Sequence, residues 1–195
     1  DAGTGLNVGP NAVKALRLCD AALAAEVEAA SLPWKHWQIA LTDGTVLFDL
    51  PLSQVADNPG IRIRWSELYR VLREGAGAAI RYGCEIASIA AATGGGGRTA
   101  VRYVQGGVEH RIDDIDLLVG ADGRYSATRA AFSGLPEPRH VGVAILRTLV
   151  PDTSAGLIDD YGQWFNGPHR LLAFRVPPGH VYIAATYPVE PGAPL

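Results

Sequence analysis

The chain has 195 residues, 17 basic and 20 acidic side chains, and a formal net charge of -3, which leaves no basic footprint for nucleic acid. A hydrophobic content of 48% is ample for a packed core and excludes wholesale disorder, and the length fits one domain or parts of two. No apolar run reaches the roughly 18 residues that would span a membrane.

The first residues lack the basic and apolar regions of a signal peptide. Gly9-Pro10-Asn11 closes an opening loop, and Asn11 is a good N-cap for a helix to about Cys19. Asp20 caps a second helix, Ala21 to Ala30, rich in Ala and Glu, and Pro33 breaks it. Trp34 to Leu41 and Thr45 to Leu50 alternate in polarity around Asp43-Gly44, which predicts a hairpin. Ser53 to Gly60 is polar loop. Ser66 then caps a helix through about Ala79, with Leu68, Val71 and Leu72 on one face and Glu67, Arg70 and Arg73 outside.

A strand over Cys84 to Ala92, a flexible turn at Gly94 to Gly97, a strand over Thr99 to Gln105, a turn at Gly106-Gly107 and a strand over Val108 to Ile112 make a three-stranded meander. After Pro136 and Pro138, Val141 to Val150, Leu157 to Phe165, Arg170 to Val176 and His180 to Tyr187 read as four strands of an antiparallel sheet. No internal repeat is found. Cys19 and Cys84 stand alone and read as buried thiols in a reducing cytoplasm. The chain has no Met, opens on Gly-rich loop sequence and closes on a Pro-rich stretch, so the expectation is an interior piece of a longer protein.

Asp116 to Arg129 carries the most chemistry. Leu117, Leu118 and Val119 form an apolar run that suits a strand covered on both faces. Asp122-Gly123 is a turn dipeptide, and Ser126 can cap a helix over Ala127 to Phe132. Ligands of open α/β sheets sit beyond the carboxyl ends of strands. There Asp122 can accept bonds from ribose hydroxyls, Gly123 lets backbone approach a pyrophosphate, and Arg124 and Arg129 can pair with phosphate oxygens. The same spacing also fits an ordinary strand–turn–helix corner in which Asp122 only stabilises the turn.

Other patterns carry less. Gly3-Thr4-Gly5 and Gly75-Ala76-Gly77 each begin a G-x-G, but Val8 and Ile80 occupy the third glycine's place, so neither is a dinucleotide fingerprint. Gly75 and Gly77 read as the frayed end of a helix. His36, His110, His140, His169 and His180 show no metal-ligand spacing, so no metal site is expected. There is no G-x-S-x-G elbow and no nucleophile or acid/base set, which leaves the catalytic residues open. Trp34, Trp37, Trp65, Trp164, Tyr161 and Phe165 fill core or line an aromatic pocket.

Three stretches, in order, carry a family resemblance. Gly5 to Leu16 resembles the segment after the second strand of salicylate-hydroxylase-like flavoproteins. Arg64 to Leu72 resembles their Arg-containing helix start, and Asp116 to Arg129 resembles their Asp-Gly motif. The resemblance covers most of residues 3 to 130 and implies a group A FAD-dependent aromatic monooxygenase of the p-hydroxybenzoate-hydroxylase type. It implies an α/β fold with α+β character: a partial Rossmann-like FAD/NAD(P)-binding domain over 1–30 and 61–139, and a mixed or antiparallel substrate-domain sheet over 31–60 and 140–195. FAD is the implied cofactor, NAD(P)H the co-substrate, and a small aromatic molecule (phenolic or an aromatic acid) the substrate that O2 hydroxylates. Asp122, Gly123, Arg64, Arg124 and Arg129 are the implied cofactor-binding residues.

The chain also departs from the family. Trp65 stands where the family places its helix-start Arg, with Arg64 one residue earlier. The family's N-terminal G-x-G-x-x-G and its late Gly-Asp motif are absent, so this chain alone is expected to bind FAD weakly or not at all. An epoxidase or halogenase on the same scaffold, and a non-catalytic binding protein with a degenerate flavoprotein core, are the alternatives.

Overall fold

The computed structural model describes residues 4–90, 98–135 and 139–190. It is a mixed α/β structure that divides into two compact units, 1–77 with 140–195, and 78–139.

In the first unit, β1 (Gly5–Val8), β5 (Gly60–Arg64) and β2 (Leu32–Trp34) form a small antiparallel sheet in the order β1-β5-β2. Its alternation decides what each face does. Leu6, Val8, Ile61 and Ile63 pack with Val13 of α1 (Pro10–Cys19), Val27 of α2 (Ala21–Ala29) and Val71 of α3 (Trp65–Ala76). Ile63 is fully enclosed, a burial that contributes roughly 1.5–3 kcal/mol. Gly5, Asn7, Arg62 and Arg64 pair across β1 and β5 on the opposite face.

That second face meets a six-stranded sheet, ordered β4-β3-β10-β11-β12-β9. A Cβ on Gly5 would lie 2.6 Å from Tyr182 Cβ and 2.8 Å from the Phe174 ring, so only glycine lets β1 approach. The hairpin of β3 (His36–Leu41) and β4 (Val46–Pro51) joins the antiparallel set β9 (Val143–Pro151), β10 (Tyr161–Asn166), β11 (His169–Val176) and β12 (His180–Pro188) through a parallel β3–β10 pairing. The sheet is therefore mixed.

The second unit is the meander β6 (Cys84–Ala90), β7 (Thr99–Gln105) and β8 (Val108–Ile115), with α4 (Ala127–Ser133) against β6. Among the described residues Val101 and Tyr103 are its buried apolar side chains; Arg81 donates to the Tyr103 hydroxyl at 2.9 Å. The Gly94 to Gly97 turn lies outside the described residues.

Several expectations are corrected. Leu117 to Val119 forms no strand, with Leu117 79% and Val119 74% exposed: among the described residues no neighbouring strand pairs with the run to bury it. Asn11 is not the N-cap of α1; Gly9 is, because Pro10, whose fixed φ and missing N–H suit the first helical position, starts the helix a residue earlier. Ser66 likewise lies inside α3, which is capped by Arg64 and stops at Ala76 before a 3₁₀ turn, Gly77–Ala79. Leu72 is 39% exposed, so the inward stripe of α3 is Leu68 and Val71.

The run Trp34 to Leu41 divides between two sheets, and the run from Leu157 becomes strand only at Tyr161. Strand β5 was not expected; its Arg62 and Arg64 alternate with Ile61 and Ile63, whose side chains it buries. Cys19 is exposed and Cys84 half-buried, so neither is a core thiol. Among the described residues no helix is long and apolar enough to cross a membrane, and no cluster of three or more metal-ligating side chains occurs.

Candidate functional site

The Asp-Gly corner belongs to the second unit. Asp122 is committed to the start of α4. Its Oδ1 accepts from Ser126 Oγ at 2.5 Å, and its Oδ2 accepts from the Thr128 backbone N–H at 3.0 Å and Thr128 Oγ1 at 3.2 Å. Ser126 Oγ in turn accepts from the Arg129 N–H at 2.9 Å, the expected cap. These donors, the Ser126 hydroxyl foremost, hold the Asp122 carboxyl at about 2, well below the usual carboxylate range. A carboxylate offers about four acceptor positions, so one remains after three bonds.

A folded-state pKa below the unfolded one places the stabilisation above the unfolded value. Asp122 thus contributes fully above about pH 4, and the contribution disappears as pH falls through about 2. Unfolding curves of wild type and Asp122→Asn should differ at neutral pH and converge near pH 2. Curves that stay equally separated would contradict this role.

The remaining residues of the corner are open. Gly123 has φ +74° and no atom within 4 Å of where a Cβ would sit, so its backbone is approachable. Gly120 is tightly constrained: a Cβ there would lie 2.6 Å from Thr128 Cβ. Arg129 Nη2 donates to the Arg124 carbonyl at 2.6 Å, and the Arg124 guanidinium lies 5.3 Å from the centroid of the Tyr125 ring. Gly120, Asp122, Gly123, Ser126, Thr128 and Arg129 line a shallow concavity of about 300 Å³. Four of the five expected residues, Asp122, Gly123, Arg124 and Arg129, are thus brought together; Arg64 lies in the other unit.

Arg64 sits where β5 passes into α3, paired with Gly5, on the face turned toward the six-stranded sheet. Its Nε is buried and makes no hydrogen bond. Three more buried nitrogens share that condition: Asn7 Nδ2, Trp37 Nε1 and Arg170 Nε. Register places all four on the facing surfaces of the two sheets. Asn7 and Arg64 project from β1 and β5; Trp37 (through Tyr161) and Arg170 (through Phe165) share the inner face of the six-stranded sheet. All four are N–H donors. A buried donor without an acceptor costs about 1–3 kcal/mol, so this layer has donors free for acceptor atoms.

The inner face is ordered in cross-strand rows. Trp37, Tyr161, Phe174, Tyr182 and Leu149 form one row, of which Tyr161 and Phe174 stack at 5.7 Å and Phe174 and Tyr182 lie 5.0 Å apart. Gln163, Leu172, Ala184 and Arg147 form the next, and Phe165, Arg170, Thr186 and Ile145 a third. Gln163 is buried, and its Nε2 donates to the Tyr161 hydroxyl at 2.6 Å. Burial pushes the Tyr161 and Tyr182 phenols up; the Arg170 charge opposes this at both, and Arg147 opposes it most at Tyr182.

Asn7, Gln163 and Arg170 did not stand out in the sequence. A signal was present for two of them. Arg170 shares the alternation of Leu172, Phe174 and Val176, and Gln163 that of Tyr161 and Phe165, so each occupies an apolar register.

No protein-family model matches the chain, and no curated protein matches it. Solved structures do. Klebsiella pneumoniae HpxO complexed with FAD and uric acid is 20% identical with a TM-score of 0.78, over 99% of this chain and 49% of that one. A salicylate hydroxylase substrate complex is 18% identical with a TM-score of 0.74, over 98% and 51%. The p-nitrophenol 4-monooxygenase PnpA from Pseudomonas putida is 12% identical with a TM-score of 0.77, over 99% and 49%. The chain thus has the fold of the FAD-dependent aromatic monooxygenases and spans about half the length of these solved chains.

Proposed function

We propose that the chain is part of an FAD-dependent monooxygenase that uses NAD(P)H and O2 to hydroxylate a small aromatic substrate. In this reading residues 1–30 and 61–139 serve FAD, and residues 31–60 and 140–195 build the substrate sheet. The observation that carries it is the layer of unpartnered buried donors between the two sheets. Flavin carbonyls, phosphates and oxygenated aromatic rings are acceptor-rich, and solved chains of the same fold are complexed with FAD.

The residues present fit FAD. Each unit fits by itself: in the first, Arg64 holds a free buried N–H at the start of α3 and Asn7 lies on the same face; in the second, Gly123 offers open backbone beside Arg124 and Arg129. The fourth acceptor position of Asp122 is available to a ribose hydroxyl. When bound, FAD supplies the electron transfer to O2 that no side chain can provide. The protein's part is placement and polarity. Arg64 and Asn7 donate to acceptor oxygens, and the aromatic row keeps water from the inner face of the sheet.

The test is purification of the intact parent protein. It should carry FAD, and NAD(P)H oxidation should accelerate when an aromatic substrate is added. Arg64→Gln should weaken FAD binding about 10-fold, the effect of one hydrogen bond to a charged donor. An intact parent that takes up no FAD, even on reconstitution, contradicts the reading.

A further inference from the structure

The six-stranded sheet has two edges, β4 and β9, and they are not alike. Strand β4 is irregular. Its ladder with β3 slips between Ile39 and Ala40, its Asp49 pairs with His36 at 3.2 Å, and it closes on Pro51. A slipped register and a charge blunt an edge against further pairing. Strand β9 is regular. Its 9 residues pair with β12 one for one, from Val143 to Pro151, without a shift. Arg147 is its only charged residue, and its one proline comes last.

The ladder fixes which backbone groups are free. The Val189 N–H donates to the Gly142 carbonyl at 3.0 Å and the Asp152 N–H to the Gly179 carbonyl at 2.9 Å, and these two bonds bracket the β9–β12 register. Antiparallel partners exchange bonds at every second residue. Ala144, Leu146, Thr148 and Val150 therefore bond to β12, and Val143, Ile145, Arg147 and Leu149 turn N–H and C=O toward the open edge. Among the described residues β9 pairs with no other strand. Pro151 falls in the outward set, where a missing N–H costs no bond to β12.

Exposed apolar side chains stand on both faces of this strand: Val143 and Ile145 on the inner face, and Leu146, 64% exposed, on the outer. A helix or loop laid on one face would leave the other bare. A strand added in line covers both faces and takes up the free backbone groups as well.

We propose that β9 pairs antiparallel with β9 of a second copy of the parent protein, about a two-fold axis at Leu146, so that the two six-stranded sheets run on as one. The strand's own sequence selects the register. With Leu146 opposite Leu146, Val143 faces Leu149 and Ile145 faces Arg147 of the second copy, so all four outward-turned residues find partners. On the outer face Leu146 meets Leu146 and Ala144 meets Thr148 at the closer spacing of non-hydrogen-bonded pairs. An axis at Arg147 would set two guanidiniums opposite each other and bring Pro151, without an N–H, against Val143. An axis at Ile145 would leave Leu149 beyond the end of the second strand. The pairing needs no bound flavin, so it stands or falls apart from the monooxygenase reading.

Sedimentation equilibrium of the intact parent at micromolar concentration should give a dimer. Ile145→Pro removes an outward N–H and no bond to β12, and Leu146→Lys sets two like charges on the axis. Each should weaken association about 10- to 100-fold, since the two-fold repeats every loss, while the far-ultraviolet circular dichroism keeps its wild-type shape.

Cysteine substitutions read the register in a parent otherwise free of cysteine. Treated with diamide, Leu146→Cys should link two copies, because non-hydrogen-bonded partners bring their Cα atoms within disulfide range. Thr148→Cys alone should not link, and Ala144→Cys combined with Thr148→Cys should. A monomeric wild-type parent overturns the proposal, its own remaining chain then covering the edge. A dimer unmoved by both edge variants, or a Thr148→Cys protein that links as readily as Leu146→Cys, overturns it too, the copies then meeting elsewhere or in another register. The Leu146→Cys result decides the matter where Ile145→Pro and Leu146→Lys fail to fold.

Discussion

Replacing Arg62 by alanine should cost about 3 kcal/mol of unfolding free energy, measured by urea denaturation of the full chain. Arg62 is 4% exposed and ties the small sheet to the six-stranded one. Its Nε and Nη2 donate to the Pro33 carbonyl at 3.2 and 3.0 Å, and its Nη1 donates to the Asp159 carbonyl. Carboxylates of Asp160 and Asp159 stand at 3.5 and 3.8 Å. Burial pulls the guanidinium below its ordinary value, and the two aspartates push back.

Truncation removes the Arg62 donors from the Pro33 and Asp159 carbonyls, the latter keeping the Arg175 N–H at 3.1 Å, and leaves Asp160 without its counter-charge. Asp160 is still satisfied in part by the Lys35, His36 and Tyr161 N–H groups at 2.9 Å, so the loss sits at the lower end of the range for a broken buried pair. A change below about 1 kcal/mol would show that the latch is not needed to hold the two sheets together.

Phe174→Ala should be at least as damaging, at about 3–5 kcal/mol. The ring is 2% exposed and lies between Tyr161 and Tyr182. It also lies against the bare Cα of Gly5. Its neighbours belong to hydrogen-bonded strands on both sides and to β1 above, so the cavity cannot collapse without moving backbone. Phe174→Leu, which keeps most of the volume, should cost less than about 1.5 kcal/mol. The near-ultraviolet circular dichroism of the aromatic row should change in the alanine variant. An alanine variant as stable as the leucine one would mean that the row of Trp37, Tyr161, Phe174, Tyr182 and Leu149 is not tightly packed around Phe174.

Local chemistry made much of the fold legible. Asp20 and Ser126 cap their helices as a short acceptor before a helical run must. Asp43-Gly44 and Gly106-Gly107 turn their hairpins because both supply glycine at positive φ, and the strands around them fall nearly where alternation puts them. What stayed hidden is non-local. Nothing near Arg62 says that Asp159 and Asp160 will neutralise it 97 and more residues away, and β5 was not expected. Leu117 to Val119 reads as a buried strand because its composition demands partners, and composition cannot say where the partners come from.

The candidate site divides along the same line. Asp122, Gly123, Arg124 and Arg129 are close in sequence, so their meeting was legible; so was the possibility that Asp122 stabilises its own turn, which its three bonds now display. The layer of unpartnered donors was not legible, because Asn7, Arg64 and Arg170 come from three distant strands and acquire meaning only when two sheets face each other. Trp65, in the place of the family's arginine, leaves Arg64 as the basic residue at that junction, and its buried Nε gives it a reason to be there.

Isotopically labelled dioxygen tests the proposed oxygen insertion into an aromatic ring most directly. The intact parent, loaded with FAD and supplied with NAD(P)H and an aromatic substrate that accelerates NAD(P)H oxidation, should give a ring-hydroxylated product. That product should carry one labelled oxygen atom for each NAD(P)H oxidised in productive turnover. A product without label, or NAD(P)H oxidation that never yields a hydroxylated ring, would contradict the account.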